Sequence, residues 1–300
     1  MIRATAPGSI MITGEHAVVY GHKAIVAAIE QRITVMLSPR ADRVIRIQSE
    51  IAEPLEVALD DLPSGGDYRF ILAAIARHKA GLATGFDLTI SSEINPTLGL
   101  GSSAAVTVAT LGALLRYQAR PTSNVHAQAL SIVQEIQGRG SGADLAASFK
   151  GGMLAYQALP SPVLHPLPTP PQLSLRYCGY KTPTAEVLRQ IATRMVGQEA
   201  YFKALYEKMG TEADIAIEAA ETADWAGFAQ SLTTYQALME ELGVCDDTLA
   251  QIISEARSDN SVLAAKISGS GLGDCVLAVG NTPQEFTPVT LAKEGLLIDE

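Results

Sequence analysis

The sequence predicts a layered α/β or α+β fold built in two parts. Segments with strand-like and helix-like hydrophobic periodicity alternate through the first half of the chain. The length of 300 residues is about twice that of a typical domain, and the composition of 47% hydrophobic and 18% charged residues supports a sizeable core. A proline-rich segment at residues 160–172 precedes a second half that is rich in helical patterns.

The strands predicted in the first half are Ile- and Val-rich alternating runs, and the helices are runs with apolar residues every three or four positions. The strands lie at residues 25–37, 44–48 and 86–90, and the helices at residues 68–79, 104–117 and 126–136. The second half is predicted to hold a strand at 173–178, helices at 186–209, 212–220, 225–242 and 247–257, and a strand, glycine loop and strand within 266–279.

The segment at residues 160–172 reads PSPVLHPLPTPPQ. Proline lacks the backbone N–H and has a fixed φ, so this segment is predicted to hold neither a regular strand nor a helix. We therefore expect the boundary between two domains here, with the first at residues 1–159 and the second at residues 160–300.

Charge, cysteines and hydropathy exclude several classes of protein. The formal net charge of −10 opposes binding to nucleic acid and to anionic lipid. Cys178, Cys245 and Cys275 are far apart and form no CxxC pair, so we expect neither a disulfide framework nor a zinc site. The residues before Glu15 contain no sustained apolar run, so we expect no secretory signal there, and the longest nearly apolar stretch is about half of a membrane span. These features favour a cytoplasmic protein with a small-molecule partner.

The first glycine-rich element, PTLGLGSSAAV at residues 96–106, has the chemistry of an anion site. Gly99 and Gly101 precede Ser102 and Ser103, and a helix follows. Glycine allows a ligand to approach the backbone closely, and the free N–H groups of the first helical turn attract phosphate. The alternative interpretation is an ordinary glycine turn in which a serine caps the helix.

Two other phosphate-binding motifs do not fit this element. Its letters GLGSSA match the dinucleotide fingerprint G-x-G-x-x-A, but that motif needs an acidic residue about 20 positions later. The chain there reads YQARP at residues 117–121, and no acid is present. A Walker loop is excluded because no Lys-Ser or Lys-Thr pair ends the glycine run. The sequence therefore predicts a phosphate loop of another kind.

The second glycine-rich element, GRGSGADLAAS at residues 138–148, contains a single acidic residue, Asp144, among small residues. A carboxylate beside a phosphate site can orient or deprotonate an attacking hydroxyl group. The alternative is that Asp144 caps a helix that begins at Leu145.

With a third element, SGSGLGDC at residues 268–275, these motifs in this order resemble those of the GHMP superfamily of small-molecule kinases, named for galactokinase, homoserine kinase, mevalonate kinase and phosphomevalonate kinase. Within it, residues 6–29 resemble the opening of mevalonate kinases most, and YCGYKTPTAEVL at 177–188 and LMEELGV at 238–244 do likewise. The resemblance implies an N-terminal domain like domain 2 of ribosomal protein S5 and a ferredoxin-like α+β C-terminal domain. ATP and the substrate would bind between them.

The resemblance also implies roles for individual residues. The loop residues Gly99, Leu100, Gly101, Ser102 and Ser103, with Gly269 and Gly271, would hold ATP, and Ser103 would help to hold Mg²⁺. Asp144 would act as the catalytic base or orienter. Glu15, His16 and Thr184 would contact the acceptor substrate, and the alternative for His16 is a buried, hydrogen-bonded histidine of the core.

The chain departs from the family pattern at several positions. Ser9 stands where the family has a lysine, and Val133 stands where it has a Mg²⁺-binding glutamate, although Glu135 follows two residues later as a candidate metal ligand. Leu272 and Asp274 replace glycines of the third element. We expect another cation to replace the missing lysine.

Lys181 is the first candidate for that cation and Arg139 the second, and each has the alternative of being an ordinary surface cation. The predicted function is ATP-dependent phosphorylation of a small alcohol that carries a carboxylate, with mevalonate as the first choice. Phosphomevalonate is the runner-up because Arg139 precedes the GSG sequence. A catalytically weakened metabolite-binding or regulatory protein is the second alternative, and a homodimer is left open.

Overall fold

A computed structural model describes residues 1–95, 98–138 and 140–299. The predicted α+β fold in two parts is confirmed, because these residues form an eight-stranded and a four-stranded sheet with helices packed on both. None of the described helices is long and apolar enough to cross a bilayer.

The larger sheet is built around a long antiparallel pair, β1 and β2. Strand order is β12-β1-β2-β5-β3-β4, and β6 pairs with both β2 and β7. The bounds are β1 Ile2–Thr13, β2 Lys23–Pro39, β3 Val44–Ser49, β4 Leu55–Ala58, β5 Phe86–Ser92, β6 Met153–Gln157, β7 Val163–Leu167 and β12 Leu297–Asp299. The predicted strands at 25–37, 44–48 and 86–90 correspond to β2, β3 and β5.

Helices cover the larger sheet and bury a continuous apolar core against it. They are α1 Arg69–His78, α2 Ser102–Tyr117, α3 Val125–Gln137 and α4 Ala143–Lys150, of which the first three match predicted helices. Helix α2 contacts β1 and β2 and is almost wholly buried between residues 104 and 115, which agrees with the largely apolar sequence of that stretch. Helix α4 also packs on β1, so the first turns of both helices lie beside this strand.

The smaller sheet is antiparallel in the order β11-β8-β10-β9. Its strands are β8 Leu173–Tyr177, β9 Val262–Ser268, β10 Cys275–Gly280 and β11 Thr287–Val289, and its helices are α5 Thr184–Met195, α6 Glu199–Glu221, α7 Trp225–Leu242 and α8 Asp247–Arg257. The strand, glycine loop and strand predicted within 266–279 are the end of β9, the connecting loop and β10.

Two predictions about elements are wrong. The segment at 160–172 does contain a strand, β7, because it pairs with β6 at the outer edge of the sheet, where Pro166 needs no ladder donor on its free side. The helix predicted over 186–209 is two helices, since Gly197 adopts a φ of +78° between α5 and α6, and α6 then continues through the expected break near residue 211. The division at residue 159 stays a prediction, and both β7 and β12, which follow it, pair within the larger sheet.

A polar seam joins the end of β1 to β9 of the smaller sheet. The Lys266 ammonium lies 2.6 Å from the Glu15 carboxylate, and both side chains are almost fully buried. The Tyr235 hydroxyl donates to the Glu15 carbonyl oxygen at 2.7 Å, and the Ser268 hydroxyl donates to the Met11 carbonyl oxygen at 2.7 Å. Burial lowers the pKa of Lys266, and the Glu15 charge opposes this shift. The two sheets are therefore joined by an ion pair shielded from water.

We expect Lys266→Met to lower the free energy of unfolding by about 3–5 kcal/mol, because it leaves the Glu15 carboxylate buried without a partner. Urea unfolding followed by circular dichroism measures this loss. The double variant Glu15→Leu with Lys266→Met removes both charges and should recover most of it. Lys203→Met, at an exposed lysine, is the control. A loss below about 1 kcal/mol for Lys266→Met would show that the pair does not matter for stability.

Candidate active site

The glycine–serine loop at the start of α2 lies between β1 and the loop that connects β9 to β10. The Ser9 amide donates to the Leu100 carbonyl oxygen at 3.1 Å, and the Cys275 thiol donates to the Leu98 carbonyl oxygen at 3.4 Å. The loop is thus held from both sheets. The N-cap residue of α2 is Gly101, whose φ is +70°. Glycine has no side chain, so it supplies no capping oxygen to the backbone N–H groups in the first turn of α2.

Glycine is required at two positions of this loop by close contacts. A Cβ atom on Gly101 would lie 2.0 Å from the Ser9 Oγ atom, and one on Gly99 would lie 2.7 Å from the Asp274 Oδ1 atom and 3.4 Å from the Lys181 Nζ atom. The loop backbone therefore touches three charged or polar side chains that come from different parts of the chain.

Ser9 and Asp144 form a direct hydrogen bond beside this loop. The buried Ser9 hydroxyl donates to the Asp144 Oδ1 atom at 2.8 Å. Asp144 lies in the first turn of α4, which begins at Ala143 after the N-cap residue Gly142. The alternative that Asp144 caps a helix beginning at Leu145 is therefore wrong. Asp144 is itself a residue of the helix, and its carboxylate accepts a hydrogen bond from Ser9 of β1.

The environment of Asp144 shifts its protonation. The residue is accessible to solvent, yet the protein atoms around its carboxyl group desolvate it enough to raise its pKa above the usual 3.8. The hydrogen bond from Ser9 and the charge of Lys181 oppose the rise, and the charges of Asp274 and Glu15 add to it. Asp144 is thus a more basic carboxylate than an ordinary surface aspartate.

Lys181 and Asp274 form an ion pair against the Gly99 backbone. Their Nζ and Oδ1 atoms are 3.4 Å apart, and the side chains are 36% and 7% exposed. Burial raises the pKa of Asp274, and the Lys181 ammonium opposes this rise. The negative charge that Asp274 brings to this position is therefore balanced by the Lys181 ammonium.

A second group of buried polar atoms surrounds His16. Its Nε2 atom donates to the Ser270 carbonyl oxygen at 2.9 Å, which leaves the Nδ1 atom as an acceptor. Burial lowers the pKa of His16 to about 4, so the ring is neutral at physiological pH. Among residues 1–95, 98–138 and 140–299, no hydrogen-bond partner contacts the Nδ1 atom or the buried Glu15 Oε2, Thr13 Oγ1 and Ser270 Oγ atoms. These groups keep unused hydrogen-bonding capacity in the interior.

The structure brings together most of the predicted site residues. The loop residues Gly99, Leu100 and Gly101 and the side chain of Asp144 lie around Ser9, and Lys181 joins them. Gly269 also belongs here, because a Cβ atom on it would lie 3.1 Å from the Asp274 Oδ2 atom. Ser102 and Ser103 form the first turn of α2 and are partly exposed.

Other predicted residues lie apart from this cluster or have other partners. Glu135 is exposed and pairs with Arg77 at 3.0 Å, so its carboxylate is engaged on the surface of α3 instead of at the loop. Thr184 is exposed at the start of α5. Gly271 packs on the Val244 carbonyl oxygen, and the Glu15 Oε1 atom is bound by Lys266. Arg139 lies outside the described residues.

Sequence reasoning missed Lys266 as a residue of this region. The signal was a single lysine within an otherwise apolar strand, AAKI at residues 264–267, because a lysine buried in a sheet needs a carboxylate partner. The partner, Glu15, is 251 residues away, and no local pattern connects the two.

The oxygen donors beside the loop fit a magnesium ion held mainly by phosphate groups. They are the hydroxyl of Ser103 and the carboxylate of Asp144, whereas the Asp274 Oδ1 atom already faces the Lys181 Nζ atom at 3.4 Å. In the described part of the chain, no group of three or more His, Cys, Asp or Glu side chains forms a metal cage. Mg²⁺ commonly uses one or two carboxylates together with substrate phosphates, which agrees with this donor set.

Comparison with known proteins agrees with the geometry. The family model for the GHMP kinases N terminal domain matches residues 68–152, and the model for the GHMP kinases C terminal matches residues 216–288. A mevalonate kinase from Archaeoglobus fulgidus is 30% identical over 303 residues, covering 99% of each chain. One from Pyrococcus abyssi is 29% identical over 335 residues, covering 100% of this chain and 98% of the relative.

The fold has a close match among solved structures. A Lin0012 protein from Listeria innocua superposes with a TM-score of 0.88 at 23% identity, covering 100% of this chain and 99% of that one. The two matched models lie on the two halves of the chain, and the identity to the Archaeoglobus fulgidus protein extends over its whole length. The chain therefore belongs to the GHMP kinases and is an ATP-dependent kinase.

Proposed function

We propose that this kinase transfers the γ-phosphoryl group of ATP to the 5-hydroxyl group of mevalonate. The observation that carries the proposal is the Asp144 carboxylate, held by Ser9 beside the glycine–serine loop. The choice of mevalonate is supported by the full-length relatives, which are mevalonate kinases. The cytoplasmic location and the homodimer stay predictions.

The glycine–serine loop would hold the phosphates of ATP. Its residues 99–103 precede and open α2, where unpaired backbone N–H groups and the positive end of the helix dipole meet. Bound Mg²⁺, held by phosphate oxygens with Ser103 and a carboxylate, would neutralise part of the charge on the transferred group. Lys181, which lies against Gly99, would supply the cation that Ser9 cannot.

Asp144 would act on the acceptor hydroxyl group. The acceptor oxygen forms a bond to the γ-phosphorus as the bond from that phosphorus to the bridging oxygen breaks, so ADP leaves with the bond's electrons. The hydroxyl proton passes to the Asp144 carboxylate, whose raised pKa makes it a better acceptor than a surface aspartate. Ser9 holds the carboxylate in place through its 2.8 Å hydrogen bond.

The unpartnered polar atoms around His16 would bind the rest of the acceptor. The neutral His16 ring offers its Nδ1 atom to a hydroxyl donor, and the Thr13 and Ser270 hydroxyl groups can donate to carboxylate oxygens. Buried polar atoms left without partners cost free energy, which binding of a polyoxygenated substrate would relieve. Thr184 has no support as a member of this pocket, because it is exposed at the start of α5.

A coupled assay of ADP release tests the acceptor. We expect turnover with mevalonate and much slower turnover with phosphomevalonate, homoserine and galactose, each at saturating MgATP. Phosphate transfer to the 5-hydroxyl group is confirmed by phosphorus NMR of the product. Turnover only with a sugar would overturn the proposal, and faster turnover with phosphomevalonate would move it to the runner-up substrate.

Asp144→Asn should lower kcat by about 10²-fold or more, because the amide cannot accept the hydroxyl proton. The affinity for ATP should change little. The matched control is Asp247→Asn, since Asp247 is likewise an aspartate in the first turn of a helix, α8. Both changes remove a similar favourable interaction with a helix dipole, about 0.3–1 kcal/mol, so their unfolding midpoints should shift alike. Equal activity of the two variants would leave Asp144 with a structural role only.

Ser9→Ala should move the acid limb of the kcat/KM profile to higher pH. The lost hydrogen bond favours the ionised carboxylate, so its removal raises the pKa of Asp144 further, and the base is then lost at a higher pH as the solution is acidified. The profile of kcat/KM against pH, measured with saturating MgATP, tests this shift. Ser258→Ala, an exposed serine at the end of α8, should leave the limb where it is. A shift to lower pH would contradict this assignment.

A further inference from the structure

We infer that Asp274 is a positioning residue that holds Lys181 against the phosphate loop, so that Lys181 takes over the task of the lysine missing at position 9. This inference rests on the proposed function, because it concerns the same phosphoryl transfer. The two departures from the family pattern, Ser9 and Asp274, are then linked. The cation of the site comes from the segment that follows β8, and Asp274 is the residue that holds it.

The contacts of Lys181 are specific. Its Nζ atom lies 3.4 Å from the Asp274 Oδ1 atom, and both atoms lie against the Gly99 backbone. Lys181 is also close enough to Asp144 for its charge to lower the pKa of that carboxyl group. The ammonium thus lies against the phosphate loop and within electrostatic range of the residue expected to receive the proton.

Backbone contacts hold the two chain segments together. The Asp274 amide donates to the Tyr180 carbonyl oxygen at 3.0 Å, and the Cys178 amide donates to the Asp274 carbonyl oxygen at 3.0 Å. The Thr182 hydroxyl donates to the Leu272 carbonyl oxygen. Residues on both sides of Lys181 are therefore bonded to the loop that carries Asp274, and the side-chain pair is the remaining determinant of where the ammonium lies.

The conformation of Asp274 indicates a role other than stability. Its φ is +66°, in the left-handed region that glycine adopts freely and where the family pattern has glycine. The residue is only 5% exposed, so a charged group has been placed in a buried, strained position. Backbone strain of this kind is often found at functional sites. At this position, the strained backbone places a carboxylate where it pairs with the Lys181 ammonium.

The ion pair with Asp274 restrains the Lys181 ammonium at the loop, and its loss would remove this restraint. The Lys181 side chain is 36% exposed, and a long flexible side chain with an open route to water samples many conformations. A carboxylate at the base of the site restricts the ammonium to the position against Gly99. A competing explanation is that Asp274 binds the metal ion directly, independently of Lys181.

A double-mutant cycle separates the two explanations. The variants are Lys181→Met, Asp274→Gly and the two combined, with Lys203→Met as the control at an exposed lysine. Each is assayed for kcat/KM with mevalonate and for unfolding midpoint. Each is also titrated with ADP and with a non-hydrolysable ATP analogue, in the presence of Mg²⁺, so that the ratio of the two affinities reports on the γ-phosphate.

We expect Lys181→Met and Asp274→Gly each to lower kcat/KM by more than tenfold, and the double variant to fall no further than Lys181→Met within about twofold. Both single changes should reduce the preference for the γ-phosphate analogue over ADP. The unfolding midpoint of Asp274→Gly should be unchanged or higher, because glycine suits a φ of +66°. Asp274→Asn, which keeps an acceptor for the ammonium, should lie between wild type and Asp274→Gly.

Wild-type kcat/KM in Asp274→Gly would overturn the inference. Losses that multiply in the double variant, with a weaker apparent affinity of Asp274→Gly for Mg²⁺, would overturn it in favour of the metal role. If the wild-type chain does not phosphorylate mevalonate, the proposed function fails. The ratio of nucleotide affinities still decides the coupling of Asp274 to Lys181, since that measurement uses no acceptor.

Discussion

The buried ion pair between Glu15 and Lys266 fixes the relation on which the site depends. Glu15 follows β1, which carries Ser9, and Lys266 lies in β9, which leads into the loop that carries Asp274. An ion pair in a dry interior tolerates little displacement, because its electrostatic energy and its hydrogen bond are lost together. The ion pair therefore helps to fix the glycine loop that follows β9 relative to β1 and the glycine–serine loop packed on it.

Sequence periodicity and motif order predicted the large strands, most helices and the grouping of Asp144 with the glycine–serine loop. The failures have physical reasons. Proline was expected to exclude a strand at 160–172, but the edge position of β7 leaves one side free of ladder bonds. The metal role of Glu135 stays a prediction, and its exposed carboxylate pairs with Arg77. Local patterns do not contain such tertiary contacts, and the pairing of Lys266 with Glu15 is of the same kind.

The departures from the family pattern become connected once the contacts are known. An acid at position 274 looks repulsive beside a phosphate loop when the sequence is considered alone. In the structure, the Asp274 carboxylate pairs with the Lys181 ammonium. The Ser9 side chain is short and uncharged, and its hydroxyl group donates a hydrogen bond to Asp144. The charged groups of the site thus come from segments beside both sheets: Asp144 from the first half of the chain, and Lys181 and Asp274 from the second.

The different burial of the two ion pairs has a consequence for ionic strength. The Lys181 side chain is 36% exposed, whereas those of Lys266 and Glu15 are 1% and 3% exposed. Dissolved ions screen charges that water can reach within a Debye length of about 8 Å at physiological salt, and they barely reach charges in the interior. Added salt therefore weakens the field of the Lys181 cation at the phosphate loop while the ion pair between the two sheets keeps its strength. If Lys181 acts as proposed, turnover should decline at salt concentrations where the fold is still intact.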